Sequence, residues 1–266
     1  MVMQRSFLKM HGLGNDFVVF DARERPLSLS RAQIAALADR HTGIGCDQLI
    51  VIEPSATATA FMRIFNADGG EVEACGNATR CVATLLGAHA TIDTIGGLLS
   101  AEATAGAATV TYPPPRFEWD RIPLAYAMDT LDMPVGWDVL ERPSAVNVGN
   151  PHVVFFVADT DRVRLGTIGA VIELDDLFPQ RVNVNVATIV DRANIRLRVW
   201  ERGAGLTQAC GTGAMATAVA AMRRGLVDAR VTVALPGGKL VVSWDGGDIT
   251  LAGPALTAFS GTVEIA

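Results

Sequence analysis

Cys210 stands between a polar, glycine-rich turn and an alanine-rich run, ERGAGLTQACGTGAMA from Glu201 to Ala216. That order predicts a helix with the cysteine at its first turn. Unpaired backbone N–H groups at a helix start favour an anion, so the Cys210 thiol is expected to ionise below the roughly 8.5 of a free cysteine. Such a thiolate is a base or a nucleophile. The same N–H groups, left open to close approach by Gly211 and Gly213, would hold a small anion such as a carboxylate. For any single cysteine, a buried and inert residue is the commoner explanation.

The design occurs twice. ACGNATRCVATLL, from Ala74 to Leu86, again places a cysteine, a glycine and a small polar residue before an apolar helix, and Cys75 lies 135 positions before Cys210. Gly14-Asn15 and Gly149-Asn150, each followed by a strand-like apolar run, keep the offset, as do Gln48 with Asn183 and Asn66 with Glu201. One match would mean little; this many in one register indicate an internal repeat. If the homologous halves face each other across a cleft, their thiols reach a bound molecule from opposite sides. Inverting an amino acid's α-carbon needs that: a base on one face, an acid on the other, and donors for the charge developing on the carboxylate. Lys9 and Lys239 are the only lysines, and neither stands in the context of a pyridoxal site.

Phe7–Met10 and Phe17–Phe20 read as strands joined by a tight turn at HGLGND. Gly12-Leu13-Gly14 lacks a third glycine and precedes a strand, which argues against dinucleotide binding. Ser30 is placed to cap a helix that runs to about His41, followed by strands at Gln48–Glu53 and Ala60–Asn66. Cys46 has no counterpart in the second half, where Arg181 stands, and reads as structural. The glycine pairs at 96–97 and 237–238 are 141 apart, so about six residues entered after the second cysteine helix. Pro113-Pro114-Pro115 ends the first half and 116–147 reads as a connector. The expected architecture is an α/β (α+β) fold of two pseudo-symmetric domains. The first is 1–117, with 256–266 returning to it, and the second is 118–255.

The composition is that of an ordinary globular chain: 266 residues, half of them hydrophobic but only 6% aromatic. A net charge of −6 with no basic run excludes nucleic acid and anionic membrane as expected partners. The N-terminal stretch has no signal-peptide core and no window approaches 18 apolar residues, so a cytoplasmic location is expected. Four cysteines and four histidines without paired spacing predict neither a disulfide framework nor a metal site.

Together HGLGND, NADGGEVEACGN, GNPH, RVNV and ERGAGLTQACGTG, in this order over nearly the whole chain, resemble the diaminopimelate epimerases. The resemblance implies two domains, each a sheet wrapped around a central helix, and a cofactor-independent, two-base interconversion of LL- and meso-diaminopimelate by a homodimer. Carried over by position, Cys75 and Cys210 are the acid/base pair, and the backbone of Gly76, Asn77, Gly211 and Thr212 holds the reacting carboxylate. Asn15, Asn66, Asn150, Asn183, Glu201 and Arg202 bind the rest of the substrate. Gln48 lies beside one thiol, and His152 and Glu201 help manage protons. Two positions depart from the family pattern: Ala78 replaces a usual glycine and Leu206 a usual glutamate. Another cofactor-independent amino-acid racemase or epimerase on the same scaffold, or a non-catalytic ligand-binding relative, is the alternative.

Overall fold

The computed structural model describes residues 3–73 and 75–265, so Ala74 of the first cysteine motif lies outside the described residues. The chain forms two compact units, Met1–Val110 with Ala252–Ala266, and Thr111–Leu251.

In the first unit, β1 (Met3–Gly12) and β2 (Asn15–Asp21) form a hairpin closing at Gly12 and Asn15. Leu13 and Gly14 turn it with φ of 58° and 89°, the mirror-image two-residue turn whose twist suits paired strands. Helix α1 (Arg31–Ala38) then carries the chain to β3 (Gln48–Glu53), which lies parallel to β2 and antiparallel to β4 (Ala60–Asn66). After β5 (Glu71–Val72) and α2 (Gly76–Leu86) come β6 (His89–Thr94), parallel to β4, β7 (Gly97–Thr104) and β8 (Ala107–Tyr112).

The run Phe17–Phe20 is apolar throughout because β2 is covered on both faces. Val18 and Phe20 pack with Ile34 and Leu37 of α1, and α2 lies against β1, β6 and β7. Ser30 and Gln33 make a capping box at the start of α1. That helix ends at Ala38 rather than near His41. Asp39 leaves it with an extended backbone, and its carboxylate accepts the N–H groups of His41 and Thr42.

The second unit repeats the plan. Its segment 116–147, expected to be a plain connector, is folded: β9 (Gly136–Trp137) and β10 (Leu140–Glu141) pair. Ile122, Leu124, Met133 and Leu140 join the core under the helix Leu165–Glu173. Residues scattered without a period were invisible as a motif but still apolar enough to bury. Next come β11 (Ser144–Asn147), β12 (Pro151–Phe156), a 3₁₀ turn at Thr160–Arg162, α3 (Leu165–Glu173), β13 (Asn183–Asp191) and β14 (Asn194–Glu201). The series finishes with β15 (Gly205–Thr207), α4 (Gly211–Arg223), β16 (Arg230–Leu235), β17 (Gly238–Ser243) and β18 (Ile249–Pro254); β19 (Leu256–Ile265) then pairs with β1.

Strand registers carry the repeat. Phe17 opposite Gln48 becomes His152 opposite Asn183, and Ala60 opposite Ile92 becomes Ile195 opposite Val233. Helix α4 packs on β11 to β14, β16 and β17, and all its residues from Gly213 to Ala221 are buried. Glycine and alanine around its circumference let strands approach on every side, the arrangement expected of a helix enclosed by a sheet. Among the described residues no helix is long and apolar enough to cross a membrane.

Candidate active site

Both expected cysteines are helix N-caps. Cys75 precedes α2 and Cys210 precedes α4, each with an extended backbone, at φ −148° and −133°. In the first unit the Cys75 thiol points at Asn15 Oδ1, 3.8 Å away, and Asn77 Nδ2 donates to the same oxygen at 3.1 Å. Asn15 is held from behind by Asp47, which accepts its Nδ2–H at 3.0 Å. Asp47 is itself bound by Arg40, which also binds Asp16, and Asp16 pairs with Lys9. Burial alone would raise the Asp16 carboxyl, but hydrogen bonds and charge from Arg40 and Lys9 outweigh it and hold the group far below the usual range.

Arg80, one turn along α2 and fully buried, donates to Asn77 Oδ1 at 2.6 Å and to the Gly76 carbonyl at 3.3 Å. It therefore fixes the side chain that faces Asn15 and sets a cation beneath the helix start. Gln48 donates to Asn66 Oδ1 at 3.0 Å, while its own Oε1 is buried without a partner among the described residues. An acceptor in that state can take a donor from a bound molecule.

In the second unit Cys210 is only 3% exposed. Gly213 N–H donates to its sulfur at 3.3 Å, and the Thr212 hydroxyl lies 3.5 Å from it. The expected low pKa is overturned here. Burial, and after it the Glu201 carboxylate, push the Cys210 thiol well above its ordinary value, and the donors from Thr212 and Gly213 do not compensate. The Gly213 N–H at the helix start still lowers the thiol, but the cost of burying a thiolate outweighs it. Burial also raises Glu201, against hydrogen bonds from Thr207, at 2.6 Å, and from Cys210.

His152 is fully buried, and burial lowers its pKa to about 3, so its ring is neutral. Its Nε2 is 2.9 Å from Asn150 Oδ1 and its Nδ1 is 3.0 Å from Asn185 Nδ2. Asn150 Nδ2 reaches Thr212 Oγ1 at 3.4 Å. The counterpart asparagines thus present opposite ends: Asn15 an oxygen to its cysteine helix, Asn150 an NH₂. Asn183 donates to the Pro151 carbonyl and accepts the Arg202 N–H, both within 2.9 Å, which makes it a clamp on the turn that carries Glu201 and Arg202. Arg202 is exposed and donates to the Gln180 carbonyl at 3.0 Å.

Of the two departures, Ala78 is fully buried in α2, and Leu206 is half exposed with its side chain over Gly166 of α3. Three residues escaped the sequence reading: Asp47, Arg80 and Asn185. Asn185 could have been found from its two-residue spacing to Asn183 in a strand otherwise apolar on that face. Arg80 could have been found as the one cation in an apolar helix whose repeat counterpart is Met215.

Each unit can therefore offer a thiol and a ring of helix N–H donors to a carboxylate, with amide groups alongside. The same fold is found in solved structures that differ widely in sequence. A phenazine biosynthesis protein of the PhzF family from Bacillus anthracis matches with a TM-score of 0.71 at 16% identity, over 98% of this chain and 99% of its own. A hydroxyproline epimerase from Agrobacterium vitis, with bound trans-4-hydroxy-L-proline, matches with 0.70 at 15%, over 98% and 93%. The class defined is thus the repeated α+β fold of these proteins.

Sequence narrows it further. The diaminopimelate epimerase family model matches residues 7–113 and 144–256. Proteins named diaminopimelate epimerase are 63% identical in Rhizorhabdus wittichii, over 99% of this chain and 97% of that one, and 54% identical in Zymomonas mobilis, over 98% of each. The chain belongs to the diaminopimelate epimerase family.

Proposed function

We propose that this chain is an isomerase that interconverts LL- and meso-diaminopimelate without a cofactor, in lysine and peptidoglycan precursor synthesis. The observation that carries the reading is the repeated thiol: Cys75 and Cys210 each cap a helix whose first N–H groups suit a carboxylate. One cysteine, as thiolate, removes the α-proton; the other, as thiol, delivers its own proton to the opposite face. The carbon is inverted and the two sulfurs exchange protonation states, so atoms and charge balance over the turnover. Negative charge passing onto the α-carboxylate is met by the helix N–H groups around Gly76, Asn77, Gly211 and Thr212.

The surroundings support unequal resting states. Burial, and after it the Glu201 carboxylate, favours the protonated Cys210 thiol, whereas the repeat counterpart of Glu201 in the first half is the neutral Asn66, and Arg80 lies under α2. Cys210 is read here as the resting acid. Gln48, Asn66, Asn15 and Asn150 offer amide groups to the ammonium and carboxylate at the substrate's far end, and Arg202 offers a guanidinium. Kinship carries two further expectations, a cytoplasmic location and a homodimer, the latter measured by sedimentation at micromolar protein.

The test is incubation of reduced protein with LL-diaminopimelate in deuterium oxide, following the α-proton by NMR. Deuterium incorporation with formation of the meso isomer, lost in Cys75→Ala and in Cys210→Ala, is the expected result. Full turnover in either variant would refute the two-base scheme. Inactivity of the wild type toward diaminopimelate but not toward another amino acid would keep the scheme and change the substrate.

A further inference from the structure

Two residues on from Asn183, and on the same face of β13, Asn185 is completely buried beside the first turn of α4. Its amide orientation is settled by the backbone. The NH₂ group lies 3.3 Å from the Val153 carbonyl, which can only accept, so the nitrogen is on that side and the same NH₂ meets His152 Nδ1. Nδ1 must then be the bare acceptor of a neutral ring, and Nε2 carries the hydrogen. That hydrogen is donated to Asn150 Oδ1, which turns the Asn150 NH₂ toward Thr212 Oγ1. Thr212, its oxygen accepting from Asn150, is then free to direct its one hydroxyl hydrogen toward the Cys210 sulfur 3.5 Å away.

We propose that Asn185 is a positioning residue that sets the direction of a hydrogen-bond chain running through His152, Asn150 and Thr212 to the Cys210 sulfur. Each link donates toward the thiol, so the chain steadies negative charge on that sulfur whenever Cys210 has given up its proton. It also fixes Asn150 with its NH₂, rather than its oxygen, facing the helix start. The device belongs to one half alone: the counterparts of Asn185 and His152 are Ile50 and Phe17. In that half Asn15 is oriented instead by Asp47, and in the opposite sense.

The kinetic part of this inference rests on the epimerase reading; the tautomer does not. The decisive variant is Asn185→Asp, nearly unchanged in volume. Its side chain would accept from Nδ1–H, move the ring proton, and reverse every link, so that Asn150 shows its oxygen to Thr212 and the hydroxyl turns away from sulfur. Asn185→Leu removes the donor without adding a charge.

Nitrogen-15 NMR of the ligand-free protein, which has four histidines, reports the tautomer of His152, identified by its loss in His152→Gln. We expect the proton on Nε2 in the wild type and on Nδ1 in Asn185→Asp. Both Asn185 variants should lower kcat/KM about 10- to 100-fold, as misplacement of a reacting group does. In an Asn150→Ala background Asn185→Asp should cost less than about threefold further, because the chain is already cut. A wild-type proton on Nδ1, or losses that simply multiply in the double variant, overturns the proposal. If wild type fails to epimerise diaminopimelate, the epimerase reading fails while the tautomer measurement still decides the direction of the chain.

Discussion

Gly213 and Ala78 occupy the same place in the repeat, the third residue of each cysteine-capped helix, yet the structure demands different residues there. A Cβ on Gly213 would stand 2.8 Å from Asn185 Oδ1, 3.0 Å from Val199 Cγ2 and 3.2 Å from the Cys210 sulfur. None of these neighbours has room to retreat, since Asn185 and Val199 are at most 1% exposed. Overpacking of this kind costs about 1–3 kcal/mol, of which better helix propensity returns up to about 1 kcal/mol. A net loss of about 1–2 kcal/mol corresponds to a Tm lower by roughly 3–6 °C for domains of this size. Because the clash falls on the sulfur and on Asn185, Gly213→Ala should also reduce kcat at least about tenfold.

The mirror experiment is Ala78→Gly, which removes a buried methyl and a good helix former. It should destabilise by a similar amount, about 1–2 kcal/mol, while leaving kcat within about threefold. Thermal unfolding and steady-state rates of the two variants therefore separate stability from catalysis. A Gly213→Ala protein that melts within 1 °C of wild type, about the error of such a scan, and keeps its kcat would show that the contacts at α4 do not constrain Cys210.

His152 links stability to pH. Its folded pKa of about 3 lies below the ordinary 6.5, so between those values the unfolded chain binds the extra proton and stability falls as pH falls, by up to about 1.4 kcal/mol per unit. Urea unfolding between about pH 4.5 and 7 should show that slope in wild type and lose it in His152→Gln; equal slopes would mean the ring protonates in place. Arg80→Met, which installs the residue type of its repeat counterpart, strips a charged donor from Asn77 and should cost about 2–3 kcal/mol; a loss below about 0.5 kcal/mol would show that Asn77 is held by other means. Alkylation at neutral pH should label Cys75 first, because burial pushes Cys46 up to about 11 and Cys81 to about 12 and also raises Cys210. Peptide mapping that finds any of the other three modified earlier would contradict this order.

Much of the molecule was legible in the chain because the signals are local or periodic. The cysteine, glycine and small polar residue before each apolar run mark a helix start within four residues. The Gly-Asn turns, the capping serine at 30 and the constant offset of 135 needed no tertiary knowledge, and the strand registers keep that offset. Helix α3 was missed because LGTIGAVIE is apolar nearly all round and lacks a side-chain cap. The packed segment around Ile122 and Met133 was missed because its apolar residues follow no period.

The sequence by itself determined the repeat, the two capping thiols, the family and most of the residues gathered around each helix start. Only the tertiary structure decided their electrical state and their direction. Whether Cys210 is a thiol or a thiolate depends on burial and on Glu201 across the turn. Which end Asn150 shows depends on His152 and Asn185, which are 33 residues apart in the chain. Desolvation and hydrogen-bond direction are set by neighbours brought together across strands, and no spacing along one segment encodes them.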